Sequence, residues 1–400
     1  MKIGIIREEK NPPDSRVPLN PAQCVALMEK YPVEIVVASS DNRCFKDEEY
    51  QKAGITLQDD LSDCAVLMGV KEVPPASLIP NKTYFFFSHT IKEQPYNRDL
   101  LRTILEKNIQ LIDYEVLTND KGQRLIAFGV FAGMVGAHNG VLTYGRRTGA
   151  FTLPRMNSFF DYEAAKAAYK KMTLPKMRVV LTGTGRVASG AAMVLEDMGF
   201  RKVNPNEYLA TDFDQAVFTQ LSCSDYVARK NGKDFVNTDF FQSPLEFKNT
   251  FLPYAHHSDL MINGVYWDNQ APAFFTQHEM TDPAFSIQVI ADVTCDIAPV
   301  ASIPATIKAS TIADPIFGFD PITGKEHAPH QPGVIDMMTI DNLPNELPRD
   351  ASTAFGKQFT DSIIAALLEK DHSPIIRRAS ITKDGKLGEF FNYLSNYVKK

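Results

Sequence analysis

The segment VVLTGTGRVASGA, residues 179–191, decides the fold. A short apolar run of β type ends in a glycine-rich turn, and the turn opens into AAMVLEDMGF, which has helical spacing. Gly183 suits the tight turn, Gly185 lets the backbone approach a pyrophosphate, and Ala188 allows close packing of helix on strand. The free N–H groups and the dipole at the helix start favour an anion. We therefore predict the first βαβ unit of a domain that binds a nicotinamide dinucleotide, although the same pattern also occurs in plain turns.

Composition is typical of an ordinary globular protein of two or three domains. The chain has 400 residues, 44% of them hydrophobic and 22% charged, with a formal net charge of −6. No long basic run is present, which argues against a nucleic-acid partner, and no apolar run is long enough to span a bilayer. The five cysteines are scattered and never form a CxxC pair, so we expect reduced thiols, no zinc site and a cytoplasmic location.

Alternating strand-like and helix-like segments predict parallel α/β sheets. Before the glycine turn, the strand-like segments lie at residues 2–6, 33–39, 65–71, 83–90 and 109–115. Residues 124–149 are apolar and rich in small side chains, which predicts a long helix. Two further helices are predicted at residues 354–370 and 386–399.

These segments predict an α/β protein with two Rossmann-like, doubly wound domains and a cleft between them. The first domain is expected to be discontinuous, with residues 1–138 and 345–400, and to bind the substrate. Residues 139–344 are expected to form the dinucleotide-binding domain. A site in the cleft would follow from the usual position of pockets between domains.

Three polar residues end three different predicted strands: Lys71, His89 and Glu115. Functional groups gather at the carboxyl ends of parallel strands, so we expect these side chains to converge. A lysine at the end of a buried strand loses hydration and its pKa falls, while a histidine exchanges protons near neutrality. Such groups suit chemistry at a carbon–nitrogen double bond, where protons move while hydride moves. Alone, His89 fits a structural histidine and Lys71 a surface lysine; the pair indicates function.

Arg16, Lys92 and Arg124 are candidate carboxylate binders, because such cations pair with carboxylates and fix their orientation. The alternative for each is a solvated surface charge. Asp292 ends a predicted strand and either faces the nicotinamide ribose or amide or serves as a turn aspartate.

His327 and His330 form an HxxH pair without an acidic third ligand, so we expect them to be solvated and predict no metal site.

Cofactor preference is predicted from the strand that follows the glycine turn. An acid about 20 positions after that turn would select NAD. The expected second strand ends near residues 203–204, beside Arg201 and Lys202, and no acid stands there. This favours NADP, with NAD as the alternative.

The chain resembles the lysine-forming saccharopine dehydrogenases, within the wider alanine dehydrogenase and transhydrogenase superfamily. The similar segments are GVKEVPP, TYFFFSHTIK, LIDYE, RLIAFG, TGTGRVASGA, MINGVYW, ADVTCD, TIADPIFGFD and IDNLPNELP. It is most similar to the lysine–2-oxoglutarate reductase half of the bifunctional aminoadipate semialdehyde synthases of animals and plants. Residues 208–254, on the expected adenosine side, resemble the family loosely. Fungal-type members use NAD and the animal-type half uses NADP.

The resemblance implies roles for individual residues. Lys71 and His89 match the acid–base pair of the family, and Glu115 matches an acid that modulates the lysine. The implied substrate-binding residues are Arg16, Lys92, Gln94, Arg124, Phe128 and Tyr266. The implied cofactor-binding residues are Gly183, Gly185, Arg186, Val187, Ala188, Val265, Asp292 and Val293.

The implied reaction is the reversible NAD(P)-dependent reductive condensation of L-lysine with 2-oxoglutarate to saccharopine. The ε-amine attacks the keto carbon, water leaves, and hydride reduces the imine. Two alternatives stay open: another amino-acid dehydrogenase such as an alanine dehydrogenase, and a dinucleotide-binding sensor without catalysis. We expect small-molecule substrates, no nucleic-acid or membrane partner, and a monomer or homodimer.

Overall fold

The computed structural model describes residues 1–369 and 373–399, and it divides the chain into two units. The first unit contains Met1–Phe128 and the described residues from Pro348 onward, and the second contains Gly129–Leu347. The chain thus leaves the first unit after residue 128 and returns to it at 348, where the sequence predicted boundaries after 138 and 344.

The first pass through the first unit contains β1 (Lys2–Ile5), α1 (Pro21–Lys30), β2 (Glu34–Val37), α2 (Asp47–Lys52), β3 (Thr56–Leu57), β4 (Val66–Met68), β5 (Thr83–Phe86), α3 (Arg98–Glu106) and β6 (Gln110–Asp113). The second unit contains α4 (Gly129–Thr148), α5 (Tyr162–Tyr169), β7 (Arg178–Thr182), α6 (Arg186–Asp197), β8 (Arg201–Val203), α7 (Pro205–Ala210), β9 (Val217–Leu221), α8 (Cys223–Tyr226), β10 (Val227–Arg229), α9 (Asn237–Gln242), β11 (Phe247–Asn249), α10 (Leu252–Ala255), β12 (Leu260–Asn263), β13 (Val289–Asp292), β14 (Ile316–Asp320), β15 (Lys325–His327) and β16 (Ile335–Met338). The return segment contains α11 (Pro348–Ser362), α12 (Ile364–Leu368), α13 (Pro374–Ala379), β17 (Ser380–Lys383), β18 (Lys386–Leu387) and α14 (Ser395–Lys399).

The sheet of the first unit has the order β18-β17-β6-β5-β4-β1-β2-β3, and the strands from β6 to β3 are parallel. Successive side chains of a strand point to opposite faces, so both faces are covered. Phe85 packs edge-on against Phe359 of α11 at 5.8 Å between ring centroids, whereas Tyr84 and Phe86 join Leu101 of α3 on the other face. The sheet is therefore doubly wound.

The sheet of the second unit has the order β15-β14-β16-β13-β12-β7-β9-β8, and β14 runs antiparallel to both of its neighbours, β15 and β16. Val179 and Leu181 of β7 face a core shared with α4 and α6, and Val180 faces the opposite core. The predicted α/β class with two sheet domains is confirmed.

Helices α4 and α6 pack with unusually close backbones. A Cβ on Gly133 would lie 1.7 Å from the Val187 carbonyl oxygen, and one on Gly190 would lie 2.0 Å from that of Val130. Only glycine fits at such distances, which explains the small residues in the predicted long helix. The helix is confirmed, but it begins at Gly129.

Two predicted C-terminal helices differ from the structure. Residues 386–399 are not one helix, because Asp384 and Gly385 have φ of 51° and 68° and form a tight turn that pairs β17 with β18. The helix predicted at 354–370 is divided into α11 and α12, and Lys370 lies outside the described residues.

Candidate active site

The three predicted strand-end residues follow three neighbouring strands of the first sheet. Lys71, His89 and Glu115 come two or three residues after β4, β5 and β6 respectively, and these strands are adjacent and parallel. The sequence prediction that they share one edge of the sheet is confirmed.

Lys71 has a strongly shifted pKa. Burial lowers the pKa of its ammonium group to about 8, and the positive charges of Arg16 and Lys10 act in the same direction. Asp14 and Glu72 oppose that shift without reversing it. Lys71 is therefore set to exchange a proton near neutral pH.

His89 is oriented by a carboxylate that the sequence reasoning missed. Its Nδ1 lies 2.5 Å from Glu72 Oε1, and Lys10 Nζ donates to Glu72 Oε2 at 2.9 Å. Burial would raise the pKa of the Glu72 carboxyl, but its bond to His89 and the neighbouring charges lower it to about 2. Glu72 therefore remains ionised, and the imidazole has Nε2 as its second proton-exchanging atom. Glu72 directly follows Lys71 in the segment after β4, and this position next to a predicted site lysine was the signal for it in the sequence.

Arg16 is buried and held from two sides. Its Nε and one terminal nitrogen donate to Asp14 at 2.9 and 2.6 Å, and its guanidinium lies 4.3 Å from the centroid of the Phe128 ring. The Phe128 ring stacks in turn on Phe355 at 4.8 Å. Arg16 is only 3% exposed, so its charge lies within the protein next to Lys71.

Glu115 lies in a second charged group. Its Oε1 accepts from Arg124 at 2.9 Å and lies 3.7 Å from Lys92 Nζ. Glu115 Oε2 is buried and finds no hydrogen-bond partner among the described residues. Arg124 and Lys92 keep 41% and 47% of their side chains exposed, so both cations reach solvent. Gln94 stands nearby in the chain, with its side chain bonded to the hydroxyl of Tyr96.

The glycine turn of the second unit fits a pyrophosphate. Gly183 has φ of +100°, and a Cβ there would lie 2.7 Å from the Gly264 carbonyl oxygen, so glycine is required. Gly185 caps α6, and a Cβ on it would meet nothing within 4 Å, which leaves open space in front of the helix start. Arg186 is exposed there and Ala188 is buried. The free N–H groups of a twelve-residue helix can thus reach an anion.

Behind this turn, side chains tie three strand ends together. Thr182 donates to Asn263 Oδ1 at 2.7 Å, and Asn263 donates to Asp292 Oδ1 at 2.9 Å. Thr306 donates to Asp292 Oδ2 at 2.6 Å. Burial raises the pKa of the Asp292 carboxyl to about 6 although these bonds oppose the shift. Asp292 is fully buried, so its observed contacts are with protein groups.

The other predicted cofactor and substrate positions of this unit differ in exposure. Val187 and Val293 pack against α4, and Val265 is half-buried beside the glycine turn. Tyr266 is 91% exposed. Asp296, which sequence reasoning missed, is half-buried four residues after β13, and burial raises the pKa of its carboxyl.

The strand beside β7 is not the one that the sequence predicted. β8 is a short edge strand, and β9 lies between it and β7. The prediction that the second strand ends near residues 203–204 is therefore wrong for the strand next to the glycine turn. Because Thr182 pairs with Leu221, Ser222 takes the place at which an acid would select NAD. The Ser222 backbone N–H and hydroxyl both donate to Asp225.

One predicted surface histidine has a buried partner. His330 Nδ1 lies 2.6 Å from Asp336 Oδ2, and Arg147 lies 3.2 Å from the other oxygen of this fully buried carboxyl. The expectation that His330 is a solvated residue is wrong, because its ring and its backbone N–H both bond to Asp336 of β16. His327 is exposed. Within the described residues, no group of three His, Cys, Asp or Glu side chains is arranged to hold a metal ion, and no helix is long and apolar enough to cross a membrane.

Comparisons with known proteins show what this chain is similar to in sequence and in fold. Residues 4–135 match the family described as alanine dehydrogenase/PNT, N-terminal domain. The solved structure of an L-alanine dehydrogenase covers all of this chain and 99% of its own with a TM-score of 0.67 at 15% identity, which establishes a shared fold. The chain is thus a two-unit α/β protein that shares its fold with an L-alanine dehydrogenase.

Two sets of relatives narrow this class. The mitochondrial alpha-aminoadipic semialdehyde synthase of Mus musculus is 28% identical over 98% of this chain, and the chain spans 47% of that protein. The saccharopine dehydrogenase [NAD(+), L-lysine-forming] of Yarrowia lipolytica is 26% identical over 95% of this chain and 96% of its own length. The chain is a homologue of the L-lysine-forming saccharopine dehydrogenases.

Proposed function

We propose that this chain catalyses the reversible, nicotinamide-dependent reductive condensation of L-lysine with 2-oxoglutarate to saccharopine. The observation that carries the proposal is the Lys71, Glu72 and His89 group, which combines a lysine pKa of about 8 with a carboxylate-oriented histidine. The relatives named saccharopine dehydrogenase and aminoadipic semialdehyde synthase support this choice of substrates.

The positively charged side chains of the first unit are proposed to bind the substrates. Both substrates and the product carry carboxylates, which pair well with guanidinium and ammonium groups. Arg124 and Lys92 bind these carboxylates from their exposed positions, and Arg16 adds a third positive charge from the interior. Glu115 Oε1 pairs with Arg124 and Lys92, and Glu115 is proposed to orient these two cations. Phe128, Gln94 and Tyr266 are proposed to complete the binding surface.

Proton transfer falls to Lys71 and His89. Lys71 accepts a proton from the attacking ε-ammonium group and returns it to the departing hydroxyl, which leaves as water. His89, fixed at Nδ1 by Glu72, exchanges a proton with the product nitrogen through Nε2.

The second unit is proposed to bind the dinucleotide through the turn from Gly183 to Ala188, with the pyrophosphate on the N–H groups that begin α6. Val265, Asp292 and Val293 are proposed to flank the nicotinamide at the ends of β12 and β13. When bound, the nicotinamide supplies or accepts the hydride. We propose NADP because Ser222 stands where an acid would select NAD, and NAD is the alternative that the neighbouring Asp225 would favour.

The experiment that tests this function follows the absorbance of NADPH and, separately, NADH in the presence of lysine and 2-oxoglutarate. We expect fast loss that requires both substrates and that is faster with NADPH. No loss with either cofactor would overturn the proposal. A panel of keto acids with ammonia then tests an alanine dehydrogenase-like activity, and dinucleotide binding without any turnover would favour a sensor.

We also propose a cytoplasmic monomer or homodimer that acts on small molecules. The five cysteines are free thiols in the structure, as is usual in a reducing compartment. Light scattering of the purified chain measures the oligomeric state, and cell fractionation measures the location.

A further inference from the structure

Two carboxylates of the first unit have no part in the proposed chemistry, yet both bond to the backbone beside the residues that do. Asp113 ends β6 and is fully buried. Glu8 follows β1, the strand next to β4. Both carboxylates lie at the edge of the sheet that carries Lys71, His89 and Glu115.

Asp113 joins two of these strand ends. Its Oδ2 accepts from the Ser88 backbone N–H at 2.8 Å and from the Ser88 hydroxyl at 2.5 Å. Its Oδ1 accepts from the Glu115 backbone N–H at 2.7 Å. Ser88 directly precedes His89, which has a φ of +53°. A non-glycine residue holds such a conformation only where its surroundings fix it.

Glu8 makes the same kind of contact at the third strand end. Its two carboxyl oxygens accept from the backbone N–H groups of Val70 and Lys71 at 2.5 and 2.9 Å. These bonds cross from the segment after β1 to the segment after β4.

A buried carboxylate is costly unless hydrogen bonds compensate it, and neither Glu8 nor Asp113 forms an ion pair in the described part of the chain. A single backbone donor could be satisfied by a neutral hydroxyl or amide oxygen. Two separate backbone donors need two acceptor oxygens on one rigid group, which a carboxyl group provides in either protonation state.

We propose that Asp113 and Glu8 are positioning residues: two carboxyl groups that fix the backbone from which His89, Glu115 and Lys71 project. The expected effect on kcat rests on the proposed function. The hydrogen bonds that hold the backbone do not depend on that function. Neither residue touches substrate or cofactor in this account; each acts through the residue whose backbone it holds.

The first test is Asp113→Asn, which leaves one acceptor oxygen for two backbone N–H groups. We expect kcat to fall roughly tenfold to hundredfold, because small displacements of catalytic groups have effects of this size. The dissociation constant of the dinucleotide should not change, because that site is assigned to the second unit. Glu8→Gln should act in the same direction through Lys71.

A matched control is Asp259→Asn. Asp259 also accepts from a strand N–H, that of Arg178 at 2.8 Å, but it lies at the amino ends of β7 and β12 in the second unit. We expect the kcat of Asp259→Asn to stay within about twofold of the wild-type value, because functional groups gather at the carboxyl ends of parallel strands and Asp259 lies at the amino ends.

A second measurement separates this proposal from the proposed function. The imidazole proton signal of His89, assigned by its loss in His89→Gln, should change its chemical shift and titration midpoint in Asp113→Asn but not in Asp259→Asn. This readout needs no turnover, so it decides the positioning role even if lysine and 2-oxoglutarate are not the substrates. Unchanged kcat together with an unchanged His89 titration in folded Asp113→Asn would overturn the proposal.

If Asp113→Asn does not fold, Ser88→Ala takes its place, because it removes the hydroxyl that bonds to Asp113 and to Thr90 and keeps both backbone bonds to Asp113. We expect a smaller change of the same sign in kcat and in the His89 signal. A folded Ser88→Ala variant with neither change would contradict the positioning role.

Discussion

The two units share a construction but differ in the chemistry of their strand ends. In the first unit, the ends carry Lys71, Glu72 and His89, and the pKa values of Lys71 and Glu72 are shifted by burial and by neighbouring charges. In the second unit, the corresponding ends carry Thr182, which donates to Asn263, and Asn263, which donates to the buried Asp292. A group that moves protons must titrate, whereas a turn that binds a pyrophosphate must present backbone N–H groups without competing charges. One architecture therefore supports both tasks through the polarity of a few side chains.

The largest effect on the difference between the two units is expected when the ammonium group of Lys71 is removed. Lys71→Met should lower kcat by about a thousandfold, within the range of general acid–base catalysis. The affinity for the dinucleotide should be unchanged, since no strand-end residue of the second unit is altered. Lys121→Met, an exposed lysine in a turn, is the control. Loss of dinucleotide binding with unchanged turnover of the bound complex would show that Lys71 has been given the wrong role.

The pH dependence of stability sharpens the comparison. Burial raises the pKa of the Glu8 carboxyl from 4.5 to about 8, so the folded state binds this proton more tightly than the unfolded state. The stabilisation from that proton is complete below pH 4.5 and is lost as the pH rises toward 8. At about 1.4 kcal/mol per pKa unit, the wild type should lose roughly 3 kcal/mol relative to Glu8→Gln between pH 5 and pH 8.

Urea unfolding of both proteins across this pH range measures the difference. Burial raises the pKa of the Asp292 carboxyl from 3.8 to about 6, a smaller shift than that of Glu8. Relative to Asp292→Asn, the wild type should therefore lose stability only between pH 3.8 and about 6. Parallel curves for the wild type and Glu8→Gln would mean that Glu8 is ionised in the folded protein at pH 5.

The close packing of α4 on α6, the helix that follows the glycine turn, should be disrupted by one added methyl group. Gly190→Ala should lower the free energy of unfolding by about 2 kcal/mol, because its Cβ would lie 2.0 Å from the Val130 carbonyl oxygen and force α4 and α6 apart. Gly129→Ala on α4 is the matched control, since its Cβ would make ordinary contacts at 3.5 Å. Thermal unfolding that is equal in the two variants would mean that the two helices adjust without cost.

The smallest expected effect concerns cofactor choice. Ser222→Asp adds a carboxylate at the proposed position of a ribose 2′-phosphate, so it should weaken NADPH binding relative to NADH binding by about tenfold, or 1.4 kcal/mol. Dissociation constants of both reduced cofactors, measured by fluorescence, give the ratio. Ser224→Asp, two residues further on, tests whether the effect belongs to position 222 alone.

Local patterns predicted much of the fold and the positions of its site. The glycine turn, the parallel strands and the shared edge of Lys71, His89 and Glu115 all follow from rules that connect neighbouring residues or apply to any parallel sheet. The hairpin at Asp384 and Gly385 was also readable as a DG turn but was hidden by the helical spacing around it.

The rest depends on contacts between distant parts of the chain. Glu8 bonds to residues more than sixty positions away, and nothing in the sequence near Glu8 indicates that partner. The order of β8 and β9 was equally unreadable, since sequence order does not determine which strand lies beside β7. Pairings of this kind are decided by packing.

The discontinuity of the first unit has a consequence during synthesis. β6 pairs with β17, and Phe85 packs against Phe359, so the segment that leaves the ribosome first lacks part of its sheet and core until the last segment appears. The second unit is one uninterrupted stretch and can complete its own sheet earlier. Residues 1–128 thus complete their sheet only after the residues from 348 onward have been translated. During that interval, β6 lacks its partner β17, and Phe85 lacks its contact with Phe359.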